Sequence, residues 1–301
     1  MSHQLRSTVL VALAGLLLVT LAGIGSACVG ARALAMGGAF TGLADDASAT
    51  YWNPAALPDL KDKELTYMHV FNEDINYQDY FAYAAPLNDR SAIGLSYIKS
   101  NLMSLSMYDS SLSWGQSWYW LSYGTRVGEK TAVGANIRFI SNDVAEVFQG
   151  APVDISADTD VGFDLALYHH ASETVTLGLL VQDVNRPETD VTEAGVEFPE
   201  FRKMIRNYRP GVAVRVPDQS IIVSAEVYDA LDSGDARALR VGIEKKFPEK
   251  RFALRAGRYA AGEASGLTLG AGVWKETWAF DVAFLGGDLD NTWVASATAK
   301  F

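Results

Sequence analysis

Eight charged side chains fall inside apolar stretches of the chain. They are Arg138, Arg215, Arg240 and Arg255, against Asp164, Glu226, Glu244 and Asp281. Near the N-terminus, Asp45 and Asp46 add an acidic pair. Arginine and carboxylate at close range form strong, directional ion pairs. Balanced in number and scattered along the sequence, these groups suit either a polar path through a lumen or a network that holds a shell together. The network is the expected role, with Asp45 and Asp46 as partners offered to the arginines. No oxygen-rich loop of calcium-binding spacing surrounds the two acids, so no metal is expected.

Catalytic chemistry finds little footing. The four histidines are His3, His69, His169 and His170, and none begins a His-x-x-x-His pair. Cys-x-x-Cys, Gly-x-Ser-x-Gly and phosphate-loop motifs are absent as well. His169 and His170 are adjacent, and on a strand they would face opposite ways. The expectation is a protein that is not an enzyme and carries no cofactor. With a net charge of −11 and no basic patch, nucleic acid is not an expected partner.

The elements that must position the charges are strands. From Glu64 onward apolar residues recur with period two. Val161, Phe163, Leu165 and Leu167 alternate with Gly162, Asp164 and Ala166, and Trp278, Phe280, Val282 and Phe284 alternate with Ala279, Asp281 and Ala283. Fourteen such segments can be counted, near 63–72, 78–86, 90–99, 113–126, 130–141, 159–170, 174–184, 207–216, 220–229, 237–247, 251–258, 265–274, 277–286 and 291–301. Every second connection is a tight turn, as at Asn88-Asp89, Gly128-Glu129 and Lys275-Glu276. The others are long, as at Ser100–Leu112, Asn142–Asp158 and Asn185–Arg206. An even strand number with loop length sorted by parity is the pattern of a transmembrane β-barrel, whose apolar face meets lipid. The last segment alternates up to a terminal aromatic, Phe301.

The long loops carry apolar side chains that could line a greasy groove. These are Leu102, Met103, Leu105, Met107 and Trp114 in the first, and Phe198, Phe201, Met204 and Ile205 in the third. Packing of the loops over the barrel mouth is the simpler role for the same residues. Phe201–Arg206, with three basic residues among apolar ones, reads as a short amphipathic helix near lipopolysaccharide phosphates. At the N-terminus, Arg6, the apolar run Val9–Ile24 and Gly25-Ser26-Ala27 form a secretory signal peptide ending before Cys28. Its loss takes one arginine and no acid, which brings the charge to −12. Cys28 is the only cysteine, so no intrachain disulfide can form. An unmodified Cys28 is expected rather than a lipidated one.

Between signal and strands lies Gly30–Leu57, GARALAMGGAFTGLADDASATYWNPAAL. Small residues, among them Gly37, Gly38 and Gly42, allow close packing. Asn53 is placed to cap a short helix opened by Pro54, just after Trp52. The run resembles the N-terminal hatch signature of outer-membrane barrels of the FadL/TodX type, and within them the PorV/PorQ branch. The resemblance implies a 14-stranded antiparallel outer-membrane β-barrel with an N-terminal helical hatch or plug in its lumen. Its parts would be a signal peptide over 1–27, the hatch over 28–62 and the barrel over 63–301. It further implies a bacterial outer-membrane location, contact with lipid and lipopolysaccharide, and insertion by the outer-membrane assembly machinery. Two functions follow from the two branches. One is uptake of hydrophobic small molecules through a plugged barrel, with release past the hatch or sideways through the wall. The other is partnership in protein secretion and surface attachment of the type IX kind, with cargo proteins bound and nothing transported.

Overall fold

Period-two alternation over fourteen segments produces one closed sheet. A computed structural model describes residues 28–301 apart from 72–77, 108–109, 158, 194, 232–236, 262–263 and 288–290. The signal-peptide expectation therefore lies outside the described residues. The strands run in order as β1 (Glu64–Phe71), β2 (Gln78–Pro86), β3 (Ser91–Met107), β4 (Ser110–Arg126) and β5 (Thr131–Phe148). Two short strands follow, β6 (Ala151–Val153) and β7 (Ile155–Ala157), then β8 (Asp160–His170) and β9 (Val175–Gln182). A hairpin of β10 (Glu188–Glu193) and β11 (Val196–Lys203) precedes β12 (Asn207–Val216) and β13 (Ile221–Tyr228). The chain ends with β14 (Ala238–Phe247), β15 (Phe252–Ala261), β16 (Ala264–Lys275), β17 (Trp278–Leu285) and β18 (Thr292–Lys300).

All neighbours in the wall pair antiparallel, and β1 closes on β18 from Glu64↔Lys300 to Phe71↔Trp293. With β6, β7, β10 and β11 set aside, the ring has fourteen strands. The other four sit at the end where the long connections lie. There β6 extends β5, while β7, β10 and β11 form a small separate sheet. No helix among the described residues is long and apolar enough to cross a membrane.

Two expectations about the long connections need correction. Ser100–Leu112 is not a loop: β3 and β4 continue through it, paired as far as Met107↔Ser110 after a register shift between Asn101 and Met103. Met103, Leu105 and Met107 alternate with Ser104 and Ser106, so the residues read as a greasy loop already carry strand periodicity. Phe201–Arg206 is not a helix either. Phe201, Arg202 and Lys203 belong to β11, whose pairing with β10 satisfies their backbone more cheaply than a one-turn helix could.

The outer face is apolar and open. Along β8, Val161, Phe163, Leu165 and Leu167 are exposed, whereas Asp160, Gly162, Asp164, Ala166 and Tyr168 between them turn inward. Outward aromatics also meet across the ladders, as Tyr67 with Phe81 at 4.7 Å and Tyr97 with Tyr119 at 4.8 Å between centroids. An apolar face of this extent belongs against lipid. Phe280→Arg on the outer face of β17 is expected to cost about 2–4 kcal/mol at mid-membrane. Asp281→Asn should cost less, because Arg255 keeps its bond to Glu244 at 2.6 Å. Equal losses for the two in urea titrations from lipid bilayers would overturn this assignment of faces.

Candidate functional site

The interior is occupied by the chain's own N-terminal segment. Residues 28–60 fold into α1 (Ala31–Ala35), α2 (Ala49–Trp52) and a 3-10 turn over Pro54–Asp59. Asn53 caps that turn by accepting from the Ala55 N–H at 3.1 Å, and its Nδ2 reaches the Leu167 carbonyl on β8. Val29, Leu34, Met36, Phe40, Leu43, Trp52 and Leu57 share one apolar cluster with inward residues of the wall, including Met68, Tyr80, Ile98 and Trp120. Trp52 is fully buried and donates from Nε1 to the Val29 carbonyl at 3.0 Å.

Contact this close depends on glycine on both sides. Three cross-strand glycine pairs in the wall each receive a stretch of segment backbone. A methyl group on Gly242 or Gly257, paired across β14 and β15, would strike Met36 or Gly37. One on Gly178 or Gly211, across β9 and β12, would strike Thr41 or Gly42. Gly124 and Gly134, across β4 and β5, meet Pro54 and Ala55 in the same way. From the segment side, a Cβ on Gly42 would lie 2.6 Å from the Val212 nitrogen. At Gly37 a Cβ would lie 2.6 Å from the Val241 carbonyl, and the local φ of 67° itself favours glycine. Gly38 has less wall contact, with Trp52, Tyr259 and Arg240 around it.

At the end of the barrel closed by tight turns, ion pairs tie the segment to the wall. Arg32 of α1 grips Glu244 of β14 with two nitrogens, at 2.8 and 3.0 Å. Its Nη1 holds Asp45 at 2.6 Å and Asp46 at 3.2 Å. Glu244 also binds Arg255, which reaches Asp281 at 2.7 Å. The first partner of the acidic pair is thus a segment arginine, with the wall's Arg215 at 3.8 Å from Asp45. Burial alone would push the Asp45 carboxyl up, but Arg32 and Lys246 outweigh it and hold the group below the usual carboxylate range. Beside this network opens a cavity of about 690 Å³, lined by acids and bases in similar number, including Asp62, Glu64, Lys246 and Lys300. Its charge makes it a poor resting place for an apolar ligand.

At the opposite end the inward face is aromatic and cationic. Glu226 accepts from the Phe40 and Thr41 N–H groups at 3.3 and 3.0 Å, and pairs with Arg209 at 2.8 Å. The Arg209 guanidinium lies 4.9 Å over the Trp52 ring. Arg240 lies over Tyr228 and Tyr259, and Cys28 Sγ is 3.4 Å from the Tyr259 hydroxyl. Arg138 stacks on Trp118 and bonds Asp183 rather than Asp164. Asp164 accepts from Asn136 and from the Asp183 N–H.

Of the groove residues, Leu102, Met103, Leu105 and Met107 fall on β3, Trp114 on β4, and Phe198 and Phe201 on β11. Their side chains lie outside the described residues. Met204 packs against the core and Ile205 is exposed. The three described histidines have separate partners: His69 bonds Asp79, His169 bonds Thr131, and His170 bonds Asp59 at 2.6 Å. Arg32, Arg209, Asp183 and the wall glycines make these contacts and are missing from the sequence expectation. Arg209 could have been found, since it shares strand parity with Arg215. The glycines could not, because a glycine on a strand carries no sign of what lies opposite.

No protein-family model matches the chain, and no curated protein matches it. Solved structures do. The toluene transporter TbuX of Ralstonia pickettii superimposes with a TM-score of 0.64 at 13% identity, covering 91% of this chain and 98% of that one. The toluene transporter TodX of P. putida gives 0.61 at 14%, covering 91% and 98%. A FadL homologue from Pseudomonas aeruginosa gives 0.59 at 13%, covering 88% and 96%. At such identities the likeness is one of fold: a closed barrel of the FadL/TodX architecture over nearly the whole chain.

Proposed function

We propose that the chain is a bacterial outer-membrane barrel that admits hydrophobic small molecules, with residues 28–62 as its hatch. The observation that carries this is the way the segment is held. Small-residue contacts at the glycine pairs fit it closely to the wall, while its ionic grip lies at the tight-turn end, where Arg32 holds Glu244 and Asp59 holds Arg126 and His170. Such a segment can shift as a unit once these ion pairs and the Glu226 bonds to the Phe40 and Thr41 N–H groups rearrange. The similar proteins known as toluene transporters support hydrophobic molecules as the class carried. Ligand would enter from the hairpin end and leave past the hatch or sideways through the wall. Lipid and lipopolysaccharide surround the barrel in this reading, and the assembly machinery inserts it through the strands and Phe301.

Secretion signals and processing belong to the same proposal. Cleavage before Cys28 leaves a thiol that is 7% exposed and packed against Tyr259. A diacylglycerol there would have to displace the aromatic packing, so the mature protein should show the unmodified mass. A mass gain of a diacylglycerol and an acyl chain in the intact protein would reverse this.

Deletion of Arg32–Thr50 tests the hatch. The deletion leaves the strands intact, and planar-bilayer conductance should rise while selective uptake of a hydrophobic dye is lost. A rise in conductance with no dye uptake in either form would favour the PorV/PorQ-like alternative, a platform for cargo proteins that the segment merely seals. That alternative rests on the Gly30–Leu57 wording. Unchanged conductance in a correctly folded deletion would show that the segment does not occlude the lumen.

A further inference from the structure

The outer face of β1 to β4 carries three rungs of side chains set side by side across the ladders. Leu65, Tyr83, Leu95 and Leu121 form the rung nearest the tight turns, and Tyr67, Phe81, Tyr97 and Tyr119 form the next. His69, Asp79, Lys99 and Ser117 form the third, one step closer to the hairpin end. The apolar band on this side of the wall therefore stops between the second and third rungs. An aromatic girdle with polar groups just beyond it marks the level at which lipid headgroups begin.

Below that boundary the first two rungs wall an apolar groove of about 340 Å³, with Leu65, Phe81 and Tyr83 on one side and Leu95, Tyr97 and Tyr119 on the other. Above it the charges are unevenly answered. Asp79 turns towards β1, where its Oδ1 accepts from the Tyr67 hydroxyl at 2.8 Å and meets His69 Nδ1 at 2.7 Å. His69 Nε2 is left open among the described residues. Lys99 lies across the ladder from Asp79, yet it is exposed and makes no ion pair among the described residues. The groove is thus greasy along its length and cationic at its hairpin end.

We propose that this face holds one phosphorylated lipid of the outer leaflet, with an acyl chain in the groove and a phosphate between Lys99 and His69. Acyl chains are the medium that the face meets, and a lysine ammonium binds phosphate as a point charge. Lys99 and His69 stand two strands apart, about 10 Å, a span that the flexible lysine stem can narrow around one phosphate. The site rests on the outer-membrane reading above but not on uptake, because it faces the bilayer and not the lumen. In that leaflet the lipid of this chemistry is lipopolysaccharide.

The test folds wild type, Lys99→Gln, Leu95→Trp and Leu269→Trp into phosphatidylcholine vesicles. Leu95→Trp fills the groove, and Leu269→Trp, on the exposed face of β16, is the control. Each protein is then taken into non-ionic detergent and titrated with lipid A, the bound lipid being counted by native mass spectrometry. Wild type and the control are expected to take one lipid A tightly, and Lys99→Gln to need about tenfold more, the worth of one hydrogen bond to a charged group. Leu95→Trp should lose the tight site, and millimolar inorganic phosphate should not displace the lipid from wild type. Displacement by phosphate alone, with Leu95→Trp unaffected, would make this a surface site for free anions and overturn the inference. Dimers that disappear in Leu95→Trp, with no lipid bound, would give the face to a second copy and overturn it too. Equal binding of lipid A by all four proteins would mean that the lipid only solvates the band. Failure of wild type to insert into the vesicles would defeat the outer-membrane reading, whereas insertion followed by equal binding defeats the lipid site alone.

Discussion

A barrel carrying Gly242→Val and Gly257→Val is expected to assemble with its N-terminal segment displaced from the wall. Both side chains would point at the backbone of Met36 and Gly37, which cannot swing aside as a flexible side chain would. Overpacking of a tight contact costs about 1–3 kcal/mol for each site. The outward face is unchanged, so insertion should survive. Cys28, the only cysteine, reports the outcome. It is buried in the wild type, and maleimide labelling should become about ten- to a hundredfold faster in the double variant, as a loss of 1.4–2.8 kcal/mol in local opening requires. Ala256→Val on β15, with opposite parity to Gly257, serves as control and should leave labelling slow. Labelling that is equally slow in all three proteins would mean that the glycine pairs do not hold the segment.

Replacing Glu226 should produce the largest loss of stability of any single wall substitution. Glu226→Ala leaves Arg209 without its carboxylate and removes the only one beside Arg240 among the described ion pairs. It also frees the Phe40 and Thr41 N–H groups. Breaking a buried ion pair from one side costs about 3–5 kcal/mol, because a charge is left unanswered. The urea midpoint of the lipid-reconstituted barrel should fall accordingly. Glu226→Gln, which keeps the shape and loses the charge, should recover only part of the loss. A midpoint unchanged in Glu226→Ala would show that other groups neutralise the two arginines.

The fourteen ring strands, their order and which of their residues face outward were legible in the sequence, because period two is a local property that survives without knowledge of neighbours. Strands β6, β7, β10 and β11 were not legible. Residues such as Phe163 and Asp164 declare opposite faces wherever the sheet is placed. At Ser100–Leu112 the same local rule holds, since Met103, Leu105 and Met107 alternate with Ser104 and Ser106, and only the long gaps elsewhere point to a loop. Asn53 and Pro54 were legible too, since an N-cap and a first-turn proline need only each other.

Partnership was not legible. The sequence by itself determined that Arg138, Arg240, Glu226 and Glu244 share the inward face. Only the tertiary structure decided that Arg138 meets Asp183, that Arg32 of the segment joins Asp45 and Asp46 to Glu244, and that Arg240 comes within 3.5 Å of Glu226. These pairs join residues from 13 to 212 positions apart along the chain, and no periodicity reaches across such a distance. The glycine pairs show the same limit from the other side. Gly124, Gly178 and Gly242 look alike in sequence, and each acquires its role only when curvature of the closed sheet brings segment backbone within a methyl's width of it.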